Sequence, residues 1–246
     1  MKKLKNKHAF VTGGSRGIGA GIALRLAREG ANVTITYQHS AQAAEQQAQL
    51  LRDSGARALA LRADSNDPQA VRAAVQQAVQ HLGTIDILVN NAGIAFYDDF
   101  MQLSLEQFEL IVGVNIRSVF VASQAVLEQM QAGGRIIHIG SCQANRIPHP
   151  GGSLYAMTKS ALAGLTKGMA RDLGPRKITV NIVHPGPVDT DMNPANGPMA
   201  AGQIDLMALD RFGSVEDIAA LVAYLAGAES GYVTGAEFTI DGGTNC

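Results

Sequence analysis

Within "SLYAMTKS", residues 153–160, Tyr155 stands four positions before Lys159. On a helix this spacing puts both side chains on one face, a turn apart. A neighbouring ammonium stabilises a phenolate, so such a pair can lower the phenol's pKa and let it exchange a proton near neutral pH. The same spacing also arises where a tyrosine packs and a lysine lies alongside it. A second signal is "TGGSRGIG", Thr12–Gly19, with glycines at 13, 17 and 19. Glycine lets backbone approach a ligand closely, and the first N–H groups of a following helix favour an anion. At a strand-to-helix junction, such a turn suits the phosphates of a dinucleotide.

These residues need elements to hold them. Short Val- and Ile-rich runs read as strands at His8–Thr12, Asn32–Tyr37, Arg57–Arg62, Ile85–Val89, Arg135–Ile139, Thr179–His184 and Glu237–Ile240. Without strict polar alternation, they fit strands covered on both faces. Helical patterns lie between them, at about 17–29, 41–53, 68–82, 104–131, 154–172 and 215–226. Gly30, Gly55, Gly83 and Gly174 fall at expected helix ends, and Pro68 follows the capping group "SND". The alternation predicts a single α/β domain over 1–246: a Rossmann-type, doubly wound parallel sheet of about seven strands with helices on both faces. The Pro-, Gly- and Met-rich segment 187–212 is too long for an ordinary connection and reads as a substrate lid.

Composition narrows the function. A formal charge of −1 and no basic tract interleaved with aromatics give no electrostatic case for nucleic acid or an anionic membrane. The basic "MKKLKNKH" runs into "AFVTGG" instead of a long apolar segment, so neither a signal peptide nor a membrane span is expected at this end. The two cysteines, Cys142 and Cys246, and the six histidines show no metal-ligand spacing. A cytoplasmic, reducing compartment and no metal are the expectation.

TGxxxGxG, "NNAG" at 90–93, Ser141, Tyr155-x-x-x-Lys159 and "PG" at 185–186 follow the order and intervals of the short-chain dehydrogenase/reductase family, which the chain resembles from Thr12 to the "DGG" at 241–243. The resemblance implies a carbonyl reductase. Tyr155 would give a proton to the substrate oxygen, Lys159 would lower its pKa and hold the nicotinamide ribose, and Ser141 would stabilise developing alkoxide charge. Asn115 would kink its helix and support a water linking Lys159 to bulk solvent. Taken singly, Ser141 as a turn cap and Asn115 as a satisfied buried amide are equally acceptable.

The resemblance further implies NADP(H) contacts from Gly13, Ser15, Arg16, Gly17, Ile18 and Gly19 in the turn. Asp64 would meet the adenine amine, Asn90, Asn91, Ala92 and Gly93 would lie beside the ribose, and Pro185, Gly186, Val188 and Thr190 would grip the carboxamide. NAD enzymes usually end the second strand with an acid. Here that place is Tyr37, followed by Gln38, His39 and Ser40, so nothing repels a 2′-phosphate, and Arg16 would attract one. The expected partners are a small carbonyl substrate and three further copies of the chain in a homotetramer. Apolar faces at Ile111, Val114, Val119, Phe120 and Val126 suit such contacts and equally suit burial on the sheet, while Met192, Met199 and Met207 would give the lid an adaptable pocket. His149, between two prolines, lines the pocket or lies in a surface loop. A rival reading takes segment 189–199 as that of a cyclic-di-GMP-binding regulator on the same fold, and a weaker one takes the chain as a structural oligomer with a relict site.

Overall fold

The computed structural model describes residues 2–246. Its strands are β1 (His8–Val11), β2 (Asn32–Tyr37), β3 (Ala58–Arg62), β4 (Ile87–Asn90), β5 (Arg135–Ile139), β6 (Thr179–Pro185) and β7 (Glu237–Ile240). They form one sheet in the order β3-β2-β1-β4-β5-β6-β7, every pair parallel. The helices are α1 (Gly17–Arg28), α2 (Ala41–Asp53), α3 (Pro68–Leu82), α4 (Leu105–Val112), α5 (Ser118–Leu127), α6 (Ser153–Leu173), the short α7 (Ala200–Ile204) and α8 (Val215–Ala226).

Side chains alternate across a strand, and here each set enters a separate core. Ala9 and Val11 of β1, Ile87 and Val89 of β4, and Ile137 and Ile139 of β5 pack with Ile22 and Leu26 of α1, Leu51 of α2 and Val222 of α8. Phe10, Leu88 and Ile136 from the same strands pack on the other face with Val75 of α3, Val126 of α5 and Leu173 of α6. Both faces are covered, which is why the strands lack strict polar alternation. Sequence order reverses on either side of β1, so the crevice lies at the carboxyl ends of β1 and β4.

Three expectations shift. The β4 ladder starts at Ile87, since Ile85 N–H donates to the Gln129 side chain and the Asp86 backbone exchanges hydrogen bonds with His8 and Arg135. α6 stops at Leu173 as expected of Gly174, but Gly174 is not left-handed: it opens a 3-10 turn, and Lys177 takes the positive φ of 57°. The helix expected over 104–131 is broken by a π turn at Gly113–Arg117. The stretch Leu105–Leu127 is apolar enough by length and composition to cross a bilayer. In the fold, its Ile111, Val119 and Val126 are packed inside the protein.

α1 lies close on α8, because a Cβ on Gly21 would stand 2.8 Å from that of Val215. α8 is started by a capping box in which the Ser214 hydroxyl accepts from Asp217 N–H while Asp217 accepts from Ser214 N–H. Ser214→Ala should therefore lower stability by about 1 kcal/mol. Urea unfolding checks this: the midpoint falls at an unchanged m value.

Candidate active site

The four residues expected to carry chemistry converge at the carboxyl end of the sheet, and the π turn begins the arrangement. It presents Asn115, whose amide donates to Ile94 O (2.9 Å) and to Thr158 Oγ1 (3.0 Å) and accepts from Ile94 N–H (2.9 Å). The loop after β4 and helix α6 are thereby joined. π turns of this kind are frequent at functional sites. A Cβ on Gly93 would lie 3.4 Å from both Asn115 Oδ1 and Lys159 Nζ, so glycine leaves room for the two groups to approach.

Lys159 is buried, and its Nζ donates to Ile139 O at 2.9 Å, at the end of β5. Burial pulls its pKa down to about 8. Nζ stands 5.6 Å from the Tyr155 ring centroid, one helical turn away on α6. Burial, and then Tyr97, push the Tyr155 phenol above its ordinary pKa, with the Ser141 hydroxyl acting the other way. Desolvation is thus the leading cause, and the expected lowering of the phenol is not seen. The Tyr155 phenol keeps its proton through the neutral range.

Ser141 follows β5 in extended backbone and caps the 3-10 turn Cys142–Ala144, accepting from Gln143 N–H at 3.2 Å. The capping alternative thus describes its geometry, and the same hydroxyl still faces Tyr155. Tyr97 was missed in the sequence. Its ring lies 5.9 Å from that of Tyr155, and the Gln143 amide donates to its hydroxyl at 3.1 Å. No spacing marks Tyr97 or Gln143, because the loops meet only in the fold.

On the other side of the crevice, Gly13 and Gly17 take positive φ of 63° and 54°. Asn91 pins the turn, its amide donating to Thr12 O and Gly13 O, while the Asn91 and Ala92 N–H groups donate to Thr12 Oγ1. A Cβ on Gly19 would collide with Gly13 O. Ser15 and Arg16 complete the turn, and the N–H groups of Gly17, Ile18 and Gly19 head α1, where the helix's own ladder leaves them over. This backbone cradle fits a pyrophosphate. Tyr37 ends β2 with His39 and Ser40 just beyond it, and Asp64 follows β3 in an Asx turn, accepting from Asn66 N–H.

Two side chains among the expected cofactor contacts turn inward. Asn90 is buried and donates to Ser123 Oγ of α5, so its side chain belongs to the protein interior rather than a ribose. Val188 gives its side chain to the core. Pro185 ends β6, and Gly186, whose Cβ would strike Asp241, turns the chain into the lid. Thr190 comes within 3.6 Å of a Cβ placed on Gly17, closing the cradle from the lid side. The lid carries a small core of its own, with Ala200, Met207 and Phe212 buried. Met207 therefore faces inward, while Met192 and Met199 remain exposed. His149 is exposed in the loop before α6.

A parallel doubly wound sheet, a glycine turn at its switch point and a Tyr–Lys–Ser–Asn cluster opposite define a dinucleotide-dependent oxidoreductase. A family model described as enoyl-(acyl carrier protein) reductase matches residues 13–245. A short-chain dehydrogenase of Burkholderia cenocepacia, solved with NADP, is 52% identical, superposes with a TM-score of 0.98 and covers 99% of this chain and 100% of its own. A cyclic-di-GMP-binding biofilm dispersal mediator protein of Escherichia coli is 46% identical over 98% of both chains. A 3-oxoacyl-[acyl-carrier-protein] reductase of Staphylococcus aureus is 38% identical over 96% of this chain and 97% of its own. The chain belongs to the short-chain dehydrogenase/reductase family.

The buried ammonium has a thermodynamic consequence. Lys159 titrates lower in the folded chain than its usual 10.5, so below about pH 8 the fold must hold a desolvated charge. The shift corresponds to a cost on the order of 3 kcal/mol. Between pH 8 and 10.5 the unfolded chain binds more protons, and stability from this group rises with pH. Lys159→Met removes the penalty and should gain stability relative to the unsubstituted chain at pH 7, with the advantage shrinking as pH climbs through that window. Thermal unfolding of both proteins across pH measures the difference, and a pH-independent gap contradicts it.

Proposed function

We propose that the protein is an NADPH-dependent carbonyl reductase that converts ketones or 3-oxoacyl thioesters to secondary alcohols. The observation that carries this reading is the geometry: Tyr155 stands one turn from Lys159 on α6, with the Ser141 hydroxyl near its phenol, opposite the glycine cradle. NADPH, when bound, supplies the hydride. Tyr155 donates its proton to the substrate oxygen as charge develops there, and a phenol that keeps its proton at neutral pH is suited to the reductive direction. Ser141 Oγ–H donates to the same oxygen and stabilises the alkoxide as it forms. Lys159, still an ammonium below about pH 8, keeps positive charge beneath the phenol and binds the ribose hydroxyls. Asn115 holds the π turn and the loop at Ile94 against α6, so the proton donor and its lysine stay in register.

Support for the substrate class comes from the relative named as a 3-oxoacyl-[acyl-carrier-protein] reductase and from the apolar surface near the site. Tyr97, Ile147, Met192 and Met199 are exposed. Support for NADP(H) comes from the NADP-bound relative, the absence of an acid after Tyr37, and the exposed Arg16 at the cradle. Leu110, Phe120 and Met157 are exposed on α4, α5 and α6 and support a homotetramer, whereas Ile111, Val114, Val119 and Val126 belong to the monomer's own core. Sedimentation at micromolar concentration tests the assembly.

Tyr155→Phe should reduce turnover by orders of magnitude while NADPH binding persists, and Ser141→Ala should cost about 10²–10³ in kcat. Cofactor oxidation followed with a panel of ketones and 3-oxoacyl thioesters measures both. Near-normal turnover in Tyr155→Phe would overturn the reading. NADPH should be preferred to NADH by at least about tenfold in kcat/KM, as one charge-assisted hydrogen bond warrants, and Arg16→Ala should remove most of that preference.

A second reading, a cyclic-di-GMP-binding regulator, is supported by the relative of that description, similar along nearly its whole length. Titration with cyclic di-GMP separates the two. Tight binding with no turnover of any carbonyl favours the regulator.

A further inference from the structure

His184, on β6, is completely buried and sits directly behind Ser141. Its Nδ1 lies 3.2 Å from Ser141 N and 3.0 Å from Ser141 O, and its Nε2 lies 3.2 Å from Glu237 Oε2 on β7. Lys167 of α6 pairs with the other Glu237 oxygen at 2.6 Å, and Lys159 is the remaining charge close enough to be felt. The imidazole reaches this place because residue 140 is glycine: a Cβ there would collide with His184 Nδ1. Gly140 and His184 thus form one packing unit at the junction of β5 with the candidate catalytic loop.

The position of the imidazole proton follows from the partners. A carboxylate only accepts, so the Nε2 proton points to Glu237, and Nδ1 of the neutral ring is an acceptor. It then takes the Ser141 N–H and leaves the Ser141 carbonyl without a donor from this ring. If the ring gains a second proton, Nδ1–H donates to Ser141 O and the Ser141 N–H loses its acceptor. The two states pull on opposite ends of Ser141.

We propose that neutral His184, its tautomer set by Glu237, is a positioning residue that holds the Ser141 backbone so that Oγ meets the substrate oxygen. The inference rests on the catalytic reading of Ser141 given above. Burial lowers the His184 pKa against the opposing pull of Glu237, so the positioning form is present at neutral pH and is lost on acidification. Glu237 is itself held ionised by Lys167.

A double-mutant cycle in the full-length protein tests this. His184→Leu should lower kcat by about ten- to a hundredfold, as expected when an oxyanion donor is misplaced, with NADPH affinity by fluorescence titration unchanged. His184→Asn, whose Oδ1 falls where Nδ1 was, should recover most of the loss. In a Ser141→Ala background His184→Leu should cost nothing further. Full activity of His184→Leu, or losses that multiply across the cycle, overturns the inference while leaving the role of Ser141 intact. Unchanged turnover in Ser141→Ala overturns both. Should His184→Leu not fold, Glu237→Gln serves: it removes the charge that favours imidazolium, so the acid limb of the kcat profile should move to lower pH. An unmoved limb contradicts the proposal.

Discussion

Three hydrogen bonds of the Asn115 amide tie the loop leaving β4 to helix α6. One end is the loop leaving β4, which also carries Asn91 against the glycine turn. The other is Thr158, beside Lys159 on α6. A buried amide left without partners is costly, so each bond constrains the others. The π turn is the backbone's accommodation to this demand, since a regular helix over 104–131 would aim residue 115 elsewhere. The cradle side and the proton-transfer side of the crevice are thus coupled through one side chain, and the helix break that looks like a defect is what aligns them.

Around that anchor, desolvation governs the electrostatics. Sheet faces covered on both sides leave the polar groups at the carboxyl ends of the strands largely enclosed. The result differs from the simple picture of an ammonium lowering a phenol's pKa: burial moves both groups toward their neutral forms, Tyr155 upward and Lys159 downward. A neutral phenol is a proton donor, and a lysine poised near pH 8 is the more easily influenced by a bound ligand's charge. The same burial applies to His184, which becomes a neutral acceptor behind Ser141 instead of a cation. Below about pH 8 the Lys159 ammonium is the charge that remains among these three groups.

Much of this was legible in the residues. Strand runs reveal a two-sided sheet because alternation of apolar with polar residues is absent: Ala9 and Phe10 enter opposite cores and are both apolar. The glycine turn is legible because positive φ and a missing Cβ demand glycine at 13 and 19, and the helical spacing of Tyr155 and Lys159 needs only α6 to be realised. Contacts between distant loops were not legible. Tyr97 meets Tyr155, and Glu237 meets His184, across separations that carry no periodic signal. Asn90 ends β4 and Asn91 follows it, and the one-position step sends one side chain to the interior and the other to the turn. Whether a residue offers its backbone or its side chain is likewise hidden, as Val188 illustrates.

The lid adds a last constraint. Its first residues are fastened to the body, with Val188 bridged to Gly213 and Asp189 N–H donating to Gly213 O, while Asn193 and Gln203 exchange amide hydrogen bonds within it. Between these ties, Asp191 reaches Arg16 of the glycine turn at 3.7 Å, with both side chains well exposed. A pair so solvated contributes about 0–1 kcal/mol. A phosphate offers a guanidinium more charge and bidentate geometry, so it competes easily with that carboxylate. The residue proposed to read the 2′-phosphate is therefore parked against the lid by an interaction weak enough to yield, and cofactor binding and lid position share a group without the lid opposing the cofactor.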